Sequence, residues 1–236
     1  LKGKNEHRNI KHLVIDEMQD YSYLQYVILH TLFSCRMTIL GDKAQTLDET
    51  MQDVLLFLPK IFGKKMRTIV LNKSYRNTVE IATYAGAINQ TTDLELLDRH
   101  GKAVEEVRFS EEESMLKAIG ENLNVGENGY ETAAVIVMTE EKARELYELL
   151  KRRGIQVSYI DRDTSVFERG LTVTTFYLAK GLEFDQVFGV FEEEENPLMT
   201  QAKYICATRA LHELYMYTVS SVSYTHLRAH ETAANL

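Results

Sequence analysis

Apolar runs of four to seven residues alternate along this chain with stretches in which apolar positions recur every third or fourth place. The runs predict strands at residues 11–16, 37–41, 67–71, 103–109, 132–138, 155–160, 171–177, 185–191 and 214–219. The helical stretches predict helices at 22–34, 48–59, 77–90, 112–124, 140–153 and 198–211. Gly154, placed after Lys151-Arg152-Arg153, reads as a helix stop: a basic last turn, then a glycine free to turn left-handed. Only two prolines and twelve glycines interrupt the chain, so long regular elements are expected. Strands alternating with helices define an α/β fold with a mainly parallel sheet.

The elements divide unevenly. Segment 1–66 supplies two strands and two helices, too few to close a doubly wound sheet. It reads as the remnant of a larger domain that begins upstream of Leu1. Segment 67–219 holds enough alternating elements for a complete α/β domain. The tail 220–236, with Tyr224-Thr225-His226-Leu227-Arg228, has neither period. It resembles a translated, non-native adaptor sequence, a short terminal helix being the plain alternative, and its histidines carry no functional weight.

Composition narrows the class without naming a chemistry. Over 236 residues, 44% hydrophobic and 26% charged content is that of an ordinary globular protein. No apolar run approaches the roughly 18 residues that span a bilayer, and the polar start is not a signal peptide. Cys35 and Cys206 each lie in an apolar stretch and read as buried thiols of a cytoplasmic protein. The net charge of −8 argues against a large nucleic-acid surface, while leaving room for a local basic groove. Much of that charge sits at 111–113 and 192–195, as solvated turns or helix starts.

Candidate chemistry begins at His12-Leu13-Val14-Ile15-Asp16-Glu17-Met18-Gln19-Asp20. An apolar strand delivering Asp16 and Glu17 at its carboxyl end could hold a magnesium ion and activate water. A buried strand followed by a solvated acidic turn explains the same residues. The strand ending Thr38-Ile39-Leu40-Gly41-Asp42 then leads to Gln45, whose amide could bond a phosphate or an attacking water. Both clusters would face one crevice, because ligands of open α/β sheets lie outside the carboxyl ends of strands. Asn72-Lys73-Ser74-Tyr75-Arg76-Asn77 offers a flat aromatic face and a guanidinium fork. Ala179-Lys180-Gly181-Leu182-Glu183-Phe184-Asp185 and Ala207-Thr208-Arg209-Ala210 follow; alone, one is a tight turn and the other a helix with one arginine.

In that order, the five motifs resemble those of superfamily 1 helicases of the UvrD/Rep type, over residues 11 to 218. Tyr177-Leu178-Ala179 before Lys180, and the Asp-Tyr after Gln19, look closest to the HelD/helicase IV branch. The resemblance implies a RecA-like P-loop NTPase motor domain, preceded by the end of a first RecA-like domain. It implies ATP and Mg2+ as ligands, with Asp16 at the metal and Glu17 activating water. Gln45 would sense the γ-phosphate, Tyr75 stack on adenine, and Arg76 and Arg209 reach the γ-phosphate from the second lobe. Gly181 would lie near the nucleotide and Glu183 at its ribose. The implied partner is single-stranded or duplex DNA, or RNA polymerase in the HelD manner, with no membrane and a monomeric state.

The chain departs from that family in three places. No Gly-x-x-x-x-Gly-Lys-[Ser/Thr] occurs, so the phosphate cradle is missing and the chain alone is expected to be inactive on ATP. From Arg76 to Lys180 is 104 residues, which leaves no room for a large accessory domain. The run Thr46-Leu47-Asp48-Glu49-Thr50 supplies no aromatic ring to stack on bases, a contact worth about 1–3 kcal/mol each.

Overall fold

A computed structural model describes residues 9–42, 45, 54–63, 66–71, 73–90, 95–164, 168–193 and 196–220. Its centre is strand β6 (Thr132–Val137), an uninterrupted apolar run. Such a run suits a strand covered on both faces. Ala133, Val135 and Val137 point into one apolar cluster, and Ala134 and Ile136 into another. Around β6 lie β5 (Glu105–Phe109), β7 (Val157–Tyr159), β8 (Gly170–Thr175), β9 (Phe184–Glu192) and β10 (Ala210–Val219). The order is β5-β10-β9-β6-β8-β7 and every pairing is parallel.

Two helices cover each face. Met115, Leu116 and Ile119 of α4 (Glu112–Asn122) join Ala143, Leu146 and Leu150 of α5 (Glu140–Arg152) against Phe188, Tyr215 and Tyr217. On the other face Ile81 and Ala85 of α3 (Val79–Ile88) meet Ala202, Ile205 and Cys206 of α6 (Pro197–Arg209). The close seating of α6 requires Gly189. A Cβ there would lie 2.7 Å from Cys206 Sγ and 2.9 Å from Met216 Sδ. Gly154 ends α5 as the sequence predicts, at φ +77°. Its N–H donates to the Lys151 carbonyl at 3.0 Å, and that of Ile155 to the Leu150 carbonyl at 3.2 Å.

The preceding segment forms a separate two-stranded parallel sheet, β1 (His12–Ile15) with β2 (Arg36–Ile39). Helices α1 (Tyr23–Leu32) and α2 (Val54–Phe62) pack beside it around Ile15, Tyr26, Phe57 and Leu58. Ser22 and Gln25 close the start of α1 with reciprocal side-chain bonds to each other's backbone N–H. The expected helix 48–59 is seen from Val54; its first residues lie outside the described ones, as does the tail beyond 220.

Three expectations need correction. Residues 67–71 form no strand: Ile69, Val70 and Leu71 are 70–84% exposed, with no neighbouring strand among the described residues to pair them. The helix expected to reach 211 ends at Arg209, and β10 begins at once, since Ala210 already pairs with Phe184. Two short parallel strands, β3 (Lys73–Ser74) and β4 (Glu95–Leu96), were not anticipated. No described helix is long and apolar enough to cross a membrane.

Candidate functional site

The carboxyl ends of β1 and β2 lie side by side because their pairing continues past the strands. Leu40 N–H donates to the Ile15 carbonyl and Met18 N–H to the Leu40 carbonyl, both at 2.8 Å. The chain then turns sharply at Glu17, which adopts φ +52°. Gly41 is needed opposite that turn: a Cβ would stand 2.6 Å from Met18 N and 2.5 Å from Gln19 Oε1. Gln19, 1% exposed, links both loops, donating to Glu17 Oε2 at 2.5 Å and accepting from Asp42 N–H at 3.1 Å. Asp16 stays exposed, and one of its oxygens accepts from Glu17 N–H at 2.8 Å.

The later segment meets these loops through polar side chains. Arg209, last residue of α6 and 3% exposed, donates from Nη2 to Gln45 Oε1 at 3.1 Å and from Nη1 to the Leu182 carbonyl at 3.2 Å. Its Nε is buried with no hydrogen-bond partner among the described residues. Burial pushes this guanidinium below its ordinary pKa and nearby Arg76 pushes the same way, while Glu17, Glu183 and Asp42 oppose. Gln45 in turn donates to Asp42 Oδ2 at 3.0 Å, and the Tyr204 hydroxyl donates to the same oxygen at 3.2 Å. Burial, then the Asp42 charge, raise that hydroxyl's pKa.

A second bridge comes from the turn joining β8 to β9. The Lys180 side chain, 7% exposed, places Nζ 2.5 Å from Asp20 Oδ1 and 3.7 Å from Glu17 Oε2. Gly181 beside it takes φ +81°, which a side chain would strain. Arg76 and Glu183 face each other across the same region, Nε to Oε1 at 2.9 Å, both partly exposed. Tyr75 is 63% exposed and stacks on no ring among the described residues.

Seven of the eight sequence-predicted residues thus lie in one set of linked loops, through Glu17, Gln45, Arg209, Arg76, Glu183, Gly181 and the adjoining Asp16. Tyr75 is exposed beside Arg76. Sequence reasoning gave no role to Lys180, Asp20, Gln19, Asp42 or Tyr204. The first four lie inside the quoted motifs, which was the available signal; Tyr204 had none. Among the described residues no three His, Cys, Asp or Glu side chains cluster as a metal cage.

Solved structures resemble parts of this chain. The PRRSV helicase is 16% identical, the match covering 88% of this chain and 35% of that protein, with a TM-score of 0.51. The carboxy-terminal domain of a possible DNA helicase from Lactobacillus plantarum is 25% identical over 62% of this chain and 88% of its own, at a TM-score of 0.45. An arterivirus nonstructural protein 10 helicase, solved with DNA, is 17% identical over 88% of this chain and 39% of its own, at 0.49. This chain therefore spans little more than a third of the two viral proteins. No family model matches the chain, and no curated protein matches it. The fold is α/β, with the six-stranded all-parallel sheet of a RecA-like domain.

Proposed function

We propose that this chain is the distal part of an ATP-driven motor of the UvrD/Rep type that moves on DNA in the cytoplasm. One observation carries the reading: Arg209 reaches Gln45 across the junction at 3.1 Å, with its Nε buried and without a partner among the described residues. A desolvated guanidinium beside an amide suits an incoming phosphate. An exposed Asp16 suits Mg2+, which near phosphates takes one or two carboxylates and fills its shell with water and phosphate oxygens.

When bound, ATP with Mg2+ supplies the phosphoanhydride bond and the ion that neutralises its oxygens. The chain's own groups do the rest. Asp16 would hold the ion, and Glu17 would accept the proton of the attacking water. Glu17 Oε2 already accepts from Gln19 at 2.5 Å, with Lys180 3.7 Å away, so Oε1 would take that proton. Gln45 turns its amide from Asp42 and Arg209 to the terminal phosphate. Arg76 and Arg209 neutralise the charge that develops there, and Glu183, released from Arg76, bonds the ribose. Tyr75 offers its open face to adenine, and Gly181 lets the backbone turn close by. Acids from one segment and guanidiniums from the other would thus close on one ligand and part after hydrolysis.

The experiment restores the missing phosphate loop by using the complete protein. ATP turnover stimulated by single-stranded DNA is expected, and Arg209→Ala should lower it about 10³- to 10⁵-fold. The 236-residue chain alone should show none. Turnover by the isolated chain, or an Arg209→Ala protein as active as the parent, would refute the reading. The absence of aromatics at 46–50 and the 104-residue spacing favour a second reading, an RNA polymerase remodeller of the HelD type. Stimulation by polymerase rather than by DNA would select it.

A further inference from the structure

A group of side chains outside the site grips the loop that carries Tyr75 and Arg76. Arg99, just beyond β4, donates from Nη1 to the Arg76 carbonyl oxygen at 3.0 Å. Its Nη2 reaches the His212 ring, 2.7 Å from Nδ1 and 3.2 Å from Nε2. The shorter contact is to Nδ1, and Asp185 Oδ1 lies 3.6 Å from Nε2. Tyr130 stacks on the imidazole, ring centres 5.4 Å apart and planes within 6°. His212 stands on β10, three residues after Arg209. A second tie runs in parallel, Asn77 Nδ2 donating to the Ala210 carbonyl at 2.5 Å.

We propose that Arg99, clamped by His212, is a positioning residue that fixes the backbone of Arg76 relative to Arg209, so that both guanidiniums meet one ligand in register. The inference rests on the reading that Arg76 and Arg209 contact a phosphate. The loop's other ties, the β3–β4 pairing before it, the Asn77 bond and the Arg76–Glu183 ion pair, do not reach the Arg76 carbonyl, and the side chains of Tyr75 and Arg76 are partly exposed. A guanidinium is a planar fork that sets two acceptors in one fixed geometry, which a single ammonium cannot do. Its two acceptors here belong to the Arg76 loop and to the strand that continues from Arg209. A reacting group displaced by about 1 Å can cost roughly 10²-fold in rate.

The test has two arms. In the 236-residue chain, backbone order parameters at 75–77 are expected to fall from about 0.85 to below about 0.6 in Arg99→Ala, Arg99→Lys and His212→Leu. His212→Asn places Oδ1 where Nδ1 was, and should keep the parental values. Unchanged order parameters in Arg99→Ala, equal behaviour of His212→Leu and His212→Asn, or an equal loss throughout β6 would each overturn the clamp. In the complete protein, Arg99→Ala should lower kcat for ATP about 10²-fold, with KM changed less than about twofold, and His212→Asn should remain active. A mobile loop with unchanged kcat would leave the clamp standing and overturn the placement of Arg76 at a phosphate. A rigid loop would overturn the clamp whatever the rate.

Discussion

Two cations withdrawn from water dominate this molecule at the scale of single residues. Arg209 and Lys180 would each be costly to bury alone, and each is set against acceptors of the other segment. Their own motifs were legible in the sequence, because Lys-Gly-Leu-Glu and Thr-Arg-Ala are contiguous. Their partners were not, since Lys180 and Asp20 are 160 residues apart and no local period encodes such a meeting. A simpler charged pair permits a sharp expectation. The His100 ring donates to Glu80 Oε1 at 2.8 Å, and Gly101 N–H to Oε2 at 2.9 Å. The His100 bond, then the backbone N–H groups, hold the Glu80 carboxyl down at about 2. The Glu80 bond and charge, with Asp98, raise the His100 pKa. The lowered carboxyl contributes stability above its ordinary 4.5 and loses it as pH falls toward 2. The raised imidazole contributes fully below its ordinary 6.5 and loses it as pH climbs through the raised value. The clip is therefore strongest between those two ordinary values. Glu80→Gln should move the His100 titration, followed by imidazole resonances, down toward 6.5; an unmoved midpoint would contradict the pairing.

At the scale of elements, period and punctuation carried most of the reading. Helix α5 shows why. Its apolar positions 143, 146 and 150 fall on one face, Thr139 bonds the Lys142 N–H at its start, and Gly154 closes its end. Nothing lies within 4 Å of a Cβ built on Gly154, so the cost of Gly154→Ala is purely that of a left-handed backbone, about 1–2 kcal/mol. A matching drop in denaturant stability, with the slope unchanged, checks this. A loss of about 4 kcal/mol would mean that packing is involved as well. The reading failed where an element depends on neighbours. Ile69-Val70-Leu71 has the composition of a strand, but strand preference is largely a preference for packed, half-buried surface. The pairs at 73–74 and 95–96 were illegible for the opposite reason: two residues are too few to show a period.

Across the whole molecule one apolar cluster lies around Tyr26 and Phe57, and two flank the six-stranded sheet. What joins the segments in the contacts described above is polar, and polar contacts can be exchanged for a ligand's without exposing a core. That property suits the closing and opening proposed above. The connection between the segments has a price of another kind. Residues 69–71 present three consecutive apolar side chains to water, in a run rich in strand-forming residues with no charge between Arg67 and Lys73. Such a run can template intermolecular β-pairing and seed aggregates once neighbouring copies loosen. Val70→Lys would place a charge in the middle of it, and turbidity on mild heating should then grow several-fold more slowly. Equal rates for the two proteins would move the liability elsewhere; a slower rate would mark this short bare stretch as the chain's point of weakness in storage and overexpression.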